Sequence, residues 1–158
     1  MIRIQAQPRA GGESRLAGIQ MAMLTLRCME HYRDVAGDHD SALIMLAVVA
    51  ISAERLTRGG LADELRTLET PLPPEYIGTC NVSSIAVATG FNRETARRHV
   101  NRLIERQVLQ RGPDGTIGFT AGYMQSGQIA ELLQVQLDTL GRSVTEFVRM
   151  GAMTATEE

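Results

Sequence analysis

The chain has 158 residues, 44% of them hydrophobic, with sixteen basic residues that are all arginine and a formal net charge of −2. That length supports one good core, or one small domain with accessory helices. Cys28 and Cys80 are too few and too far apart for a disulfide framework or a zinc site, and the longest apolar run, 42–51, is about half of what spans a bilayer.

Residues 1–12 read as a flexible arm broken by Pro8, Gly11 and Gly12. They lack the apolar stretch of a signal peptide, so the expected chain is soluble, cytoplasmic and not membrane-bound. An N-terminal helical region, 13–70, follows. Its first helix starts with Ser14 as cap and runs to about Asp34, with Leu16, Ile19, Met23, Leu26, Met29 and Tyr32 among its apolar positions. The run 37–40 breaks it. Asp40 or Ser41 caps a second helix that continues to Gly59-Gly60 and is apolar all round at its start, so other helices must cover it. Leu61, Leu65 and Leu68 predict a short third helix. Pro71, Pro73 and Pro74 then force an irregular passage to Tyr76-Ile77, a candidate edge strand.

The most informative stretch is 81–111. A helix over 82–89 ends at Gly90, which enters the left-handed conformation without a Cβ penalty. Asn92 stands where an N-cap belongs, and a second helix over 93–106 buries Ala96, Val100, Leu103 and, at the edge, Ile104. Its other face presents Arg97, Arg98, Asn101 and Arg102. The six arginines of this stretch (93, 97, 98, 102, 106, 111) face only Glu94 and Glu105, a local charge of +4 in a chain whose remainder has −6. Phosphate would be drawn to this element and weakly repelled by the rest. The plain alternative is a solvated arginine-rich face, with Glu94 paired to Arg98 and Glu105 to Arg102. A strand over 108–111, the turn Gly112-Pro113-Asp114-Gly115 and a second strand over 116–120 complete the stretch.

This order of helix, turn, helix and hairpin, over roughly residues 80–120, resembles the DNA-binding module of bacterial winged helix-turn-helix transcription regulators, broadly those of the MarR, GntR and IclR groups. The resemblance rests on Ile85-Ala86, Thr89-Gly90-Phe91, the run from Arg93 to Val100, and Leu103 leading to Val108-Leu109. It implies a mainly α-helical fold with a winged helix-turn-helix over 71–120 and a small β-hairpin wing, flanked by long helices used for dimerisation. The function it implies is a sequence-specific DNA-binding regulator without enzymatic activity. The helix 93–106 would enter the major groove, with 82–89 as its support. Arg93, Glu94, Thr95, Arg97 and Arg98 would reach base edges, the forks of Arg97 and Arg98 matching guanine O6 and N7. Asn101 and Arg102 would meet phosphate, Ser83 and Ser84 would donate to backbone oxygens, and Arg111 is the one basic group near the wing. With Asp114 and no base at its tip, the wing is expected to touch DNA weakly or not at all. His99 reads as a packed or capping histidine, with a phosphate contact as the alternative.

Gln125-Ser126-Gly127 opens a C-terminal helix filling 121–152, in which Ile129, Leu133, Leu137, Leu140, Val144 and Phe147 recur at three- and four-residue steps. The tail 153–158 is expected to fray. Two long apolar helices and 4% aromatic residues predict a homodimer on double-stranded DNA. Its recognition helices would lie about 34 Å apart on a palindromic site. A small-molecule effector between the helices, walled by Met21, Met23, Met29 and Met45, is a further reading, although core packing accounts for the same residues. No cofactor is expected, since there is no phosphate-binding glycine loop, nucleophile elbow or metal-spaced histidine pair. Cys28, Glu30 and His31 do not share one helix face. The two cysteines read as buried hydrophobes or free thiols, with a redox switch as the alternative. The rival function is a winged-helix scaffold that binds an acidic protein surface through Arg97 and Arg98 and does not bind DNA.

Overall fold

The computed structural model describes residues 2–7, 14–59, 62–73 and 78–157, the stretch 54–59 by its backbone alone. The chain is mainly α-helical. Its elements run β1 (Ile2–Ala6), α1 (Ser14–Ala36), α2 (His39–Gly59), α3 (Val82–Thr89), α4 (Arg93–Glu105), β2 (Leu109–Arg111), β3 (Ile117–Phe119), α5 (Gly127–Arg149) and β4 (Met153–Glu157). Two antiparallel pairs form, β1 with β4 and β2 with β3. Contacts divide the chain into two compact units, Met1–His31 with Leu132–Glu158, and Tyr32–Glu131. No single helix among the described residues is long and apolar enough to cross a membrane.

The second unit holds the better core. Ile44 and Val48 of α2, Ile85 of α3, Val100 and Leu103 of α4, and Leu109 and Ile117 of the hairpin are all fully buried. Local chemistry sets the order of α3 and α4. Asn81 caps α3 by accepting from the Ser84 N–H at 2.9 Å. Gly90 then adopts φ +73°, a conformation that would strain any residue with a β-carbon. Asn92 caps α4 by accepting from the Thr95 N–H at 2.8 Å. The two helices pack on each other and on α2, and α4 also packs on β2. Cys80 bridges the edge of β3 opposite β2, exchanging backbone hydrogen bonds of 2.9 and 2.7 Å with Ile117. Burial pushes its thiol up to about 11, so Cys80 behaves as a small hydrophobe and not as a reactive thiolate.

Several expectations change in this unit. The cap of α2 is Asp38, not Asp40 or Ser41: its Oδ1 accepts from the Ser41 N–H at 2.7 Å. The apolar start of α2 is not covered all round. Ala42, Ile44, Met45, Ala47 and Val48 are buried, whereas Leu43, Val49 and Ala50 are exposed. The helix is amphipathic in packing, and apolar residues on its outer face hide the period. Among the described residues the third helix reduces to a 3-10 turn, Asp63–Leu65. So short a segment, with Leu65 and Leu68 only half-buried, cannot offset the cost of nucleating a full helix. Leu61 and the candidate edge strand at Tyr76-Ile77 lie outside the described residues.

In the first unit the expected arm and tail are not loose. Ile2 pairs with Glu157, Ile4 with Ala155 and Ala6 with Met153. Residues 8–12 and 158 of the expected arm and tail lie outside the described residues. β-branched residues recur at every second position of both strands, Ile2 and Ile4 in β1 and Thr154 and Thr156 in β4, and favour the extended state once the strands meet. Gln136 of α5 donates to the Cys28 carbonyl of α1 at 3.0 Å. The apolar stripes of these helices are only partly covered among the described residues: Ile129 and Phe147 of α5 are buried, but several stripe residues are not. Leu16, Ile19 and Leu26 of α1 and Leu137 and Leu140 of α5 are all about half exposed or more.

Candidate nucleic-acid interface

At 100° per residue, Ala96, His99, Val100 and Leu103 form the inner face of α4, and all four are buried. The opposite direction falls on Glu94, Arg98, Asn101 and Glu105, with Arg97 and Arg102 on its flanks. The outer face is therefore mixed in charge, which a count of arginines along the sequence does not reveal.

The six arginines divide into two kinds. Arg97 closes a bidentate pair with Glu94, at 2.9 and 2.6 Å, where Arg98 had been the expected partner. The hydrogen bonds from Arg97 hold the Glu94 carboxyl below its ordinary value. Arg102 reaches Asp38 Oδ2 at 2.9 Å, not Glu105. Arg106 lies just past the helix end and donates to the carbonyls of Ala36 and Val35, satisfying the C-terminus of α1. It approaches Gly37 so closely that a β-carbon there would strike the guanidinium, and Gly37 itself has φ +97°. Arg111 donates to Asn101 Oδ1 at 3.2 Å and so braces the hairpin against α4. Arg93 and Arg98 are exposed, and among the described residues neither makes a hydrogen bond or close ion pair.

No protein-family model, curated protein or solved structure matches this chain. Function is thus read from the residues themselves.

The remaining predicted positions fall near α4 without converging on one point. Thr95 is half-buried and Ser83 exposed at the start of α3, while the Ser84 hydroxyl is turned to Asn81 Oδ1 at 3.3 Å. Ser83 and Ser84 line a shallow depression of about 430 Å³ with Ile51, Asn81, Val87 and Ala88. At the hairpin tip Asp114 accepts from the Thr116 hydroxyl at 2.6 Å and backbone N–H at 3.2 Å, bonds that hold its carboxyl below the usual range. The tip is therefore anionic and rigidly turned. Of the methionines considered for an effector pocket, Met45 is buried in the core, Met29 is half-buried, and Met21 and Met23 are exposed.

A cluster at the start of α2 escaped the sequence reading. His99, 4% exposed, places Nδ1 3.2 Å from Ser41 Oγ and 3.5 Å from Asp38 Oδ1, and Nε2 3.4 Å from Asp40 Oδ2. The Ser41 hydroxyl donates to Asp38 Oδ2 at 3.0 Å, so the proton between Ser41 and His99 belongs to Nδ1. His99 is thereby turned into the protein and away from any phosphate. Partial burial alone would raise the Asp38 carboxyl. The backbone and side-chain bonds from Ser41, the Arg102 guanidinium and the charge of His99 outweigh it and hold the group below its ordinary value. The signal in the sequence was the spacing of Asp38 and Ser41, a cap and its third helical residue.

A carboxyl with a depressed folded pKa contributes stability that is fully present above its unfolded value and is lost as pH falls through the folded one. Asp38→Asn is therefore expected to destabilise the protein at neutral pH, and its difference from wild type should shrink below about pH 4. Urea midpoints at neutral and acid pH measure this. An equal difference at both would mean that the carboxylate charge does not hold the cluster.

Proposed function

We propose that the chain is a sequence-specific DNA-binding transcription regulator of the winged helix-turn-helix kind, acting as a homodimer with α4 as its recognition helix. The observation that supports this best is the capped α3–Gly90–α4 unit followed by a hairpin, with Arg93 and Arg98 exposed and uncommitted on the N-terminal half of α4. Arg98 lies near the centre of the outward face, where a groove-bound helix meets base edges, and Arg93 lies at the helix start, about 140° round the axis, where its long side chain can reach the backbone phosphates. The Glu94–Arg97 pair is exposed and solvent-screened, so Arg97 can exchange Glu94 for a phosphate. Arg102 and Arg111 are assigned to holding α4 against α2 and the hairpin, and the anionic tip leaves the wing little part in binding.

The reading is tested by the affinity for random duplex DNA at several salt concentrations. Several phosphate contacts require a fall of roughly 10³-fold or more between about 50 and 200 mM salt. Absence of binding even at low salt would sink the proposal. The second reading is a protein-interaction scaffold, favoured by Val87, which is 85% exposed on α3 beside Ser83 and Ser84. On that reading DNA does not bind at any salt, and Val87→Glu abolishes partner capture.

A further inference from the structure

The first unit buries very little of its own. Among its described residues only Leu132, Thr139, Ser143 and Phe147 are buried, and two of the four are polar. Its apolar residues are instead organised on open faces. In the β1·β4 ribbon, residues opposite one another share a face. One face therefore has Ile2, Ile4, Ala6, Met153 and Ala155, with Glu157 at its end opposite Ile2, and the other has Arg3, Gln5, Thr154 and Thr156. The apolar face is uncovered: Ile2 is 69% and Ile4 50% exposed. A two-stranded ribbon is marginal on its own, and both outer edges of this one lack a strand partner among the described residues.

The helices repeat the pattern. Leu16, Ile19, Met23 and Leu26 of α1 are spaced by three, four and three residues, and Leu133, Leu137 and Leu140 of α5 by four and three. Each of these seven is exposed by between 37 and 63%. A repeat of 3.5 residues is the spacing by which one helix packs along another.

We propose that a second copy of this chain covers these faces, so that α1, α5 and the terminal ribbon of two copies form one intermolecular layer. The partner is another copy because the seams are self-complementary: each unit offers two helical seams and one apolar ribbon face, and a two-fold axis supplies the same set in return. The extent also fits. Nine side chains exposing on the order of 100 Å² each approach the ~800 Å² that each partner contributes to a stable interface. The inference rests on the dimeric part of the function proposed above and adds the chain termini to the contact.

Sedimentation equilibrium of the full chain, without DNA and from low to high micromolar concentration, tests it. Wild type should show twice the 17.3 kDa chain mass. Leu137→Glu and Ile4→Arg alter side chains already exposed in the single chain, and each should weaken association at least about tenfold while helical content stays unchanged. Amide exchange in β1 and β4 of the wild type, slowing as concentration rises, gives a readout that needs no variant. A chain that is monomeric throughout overturns the inference together with the dimeric part of the function. A dimer indifferent to either substitution, or exchange in the ribbon independent of concentration, overturns this inference alone.

Discussion

Leu103→Ala is expected to lower the unfolding free energy by about 3 kcal/mol, within the 2–5 kcal/mol typical of a buried leucine truncated to alanine. Leu103 is fully buried on the inner face of α4, in the core shared with α2, α3 and the hairpin. The cost has two parts, the lost transfer of the side chain from water and the cavity left in a core that also holds the fully buried Ile44, Ile85 and Val100. Several of these are β-branched, with few rotamers available to close the gap. Urea denaturation should show a lower midpoint with an unchanged slope, since the surface exposed on unfolding is almost the same. Val87→Ala is the control: that side chain is 85% exposed, and its loss should cost less than about 0.5 kcal/mol. A Leu103 variant as stable as the control would mean that α4 does not pack by this face, and the outward direction assigned to Arg98 would be wrong with it.

The second large effect concerns binding. Arg93→Ala/Arg98→Ala should lower affinity for the preferred duplex by roughly 1000-fold, the smaller end of what four bidentate base contacts, two from each protomer, are worth. How the loss is distributed identifies the contact. If both arginines meet phosphate, affinity falls alike on all sequences and the salt slope drops by about 4, two contacts from each protomer of the dimer. If Arg98 reads a base, discrimination at one position of the site relaxes and the slope changes less. Neither residue supports the fold through an ion pair among the described residues, so thermal stability should be unaffected. Arg106→Ala should behave in the opposite way, losing stability with the two α1 carbonyls it satisfies and leaving base preference unchanged. Equal binding by the Arg93/Arg98 variant and the wild type would remove α4 from the interface.

What the sequence reveals here depends on the range of the interaction. The bounds of α3, the left-handed Gly90, the Asn92 cap and the buried set Ala96, Val100 and Leu103 are written in neighbouring residues, and each appears in the structure as the local pattern predicts. The β1·β4 ribbon brings together segments from the two ends of the chain. Each strand alone is five residues of mixed polarity, and nothing within either one distinguishes it from a frayed terminus. The same limit applies to the basic helix. The arginines from Arg93 to Arg106 look alike in sequence, yet Arg102 meets Asp38 and Arg106 meets the end of α1, partners some sixty-four to seventy-one residues away. The carboxylates that surround His99 were equally distant. Local spacing could show that His99 faces the core, but it could not show what it faces there.

Selection of wild-type binding sites from random duplex DNA tests the central claim most directly. A dimeric regulator with α4 as its reading head should enrich a two-fold symmetric sequence, with half-sites about one helical turn apart and a base preference that disappears in the Arg93→Ala/Arg98→Ala protein. Enrichment of no sequence, by wild type and variant alike, would contradict that claim and leave protein interaction as the role of the α3–α4 unit.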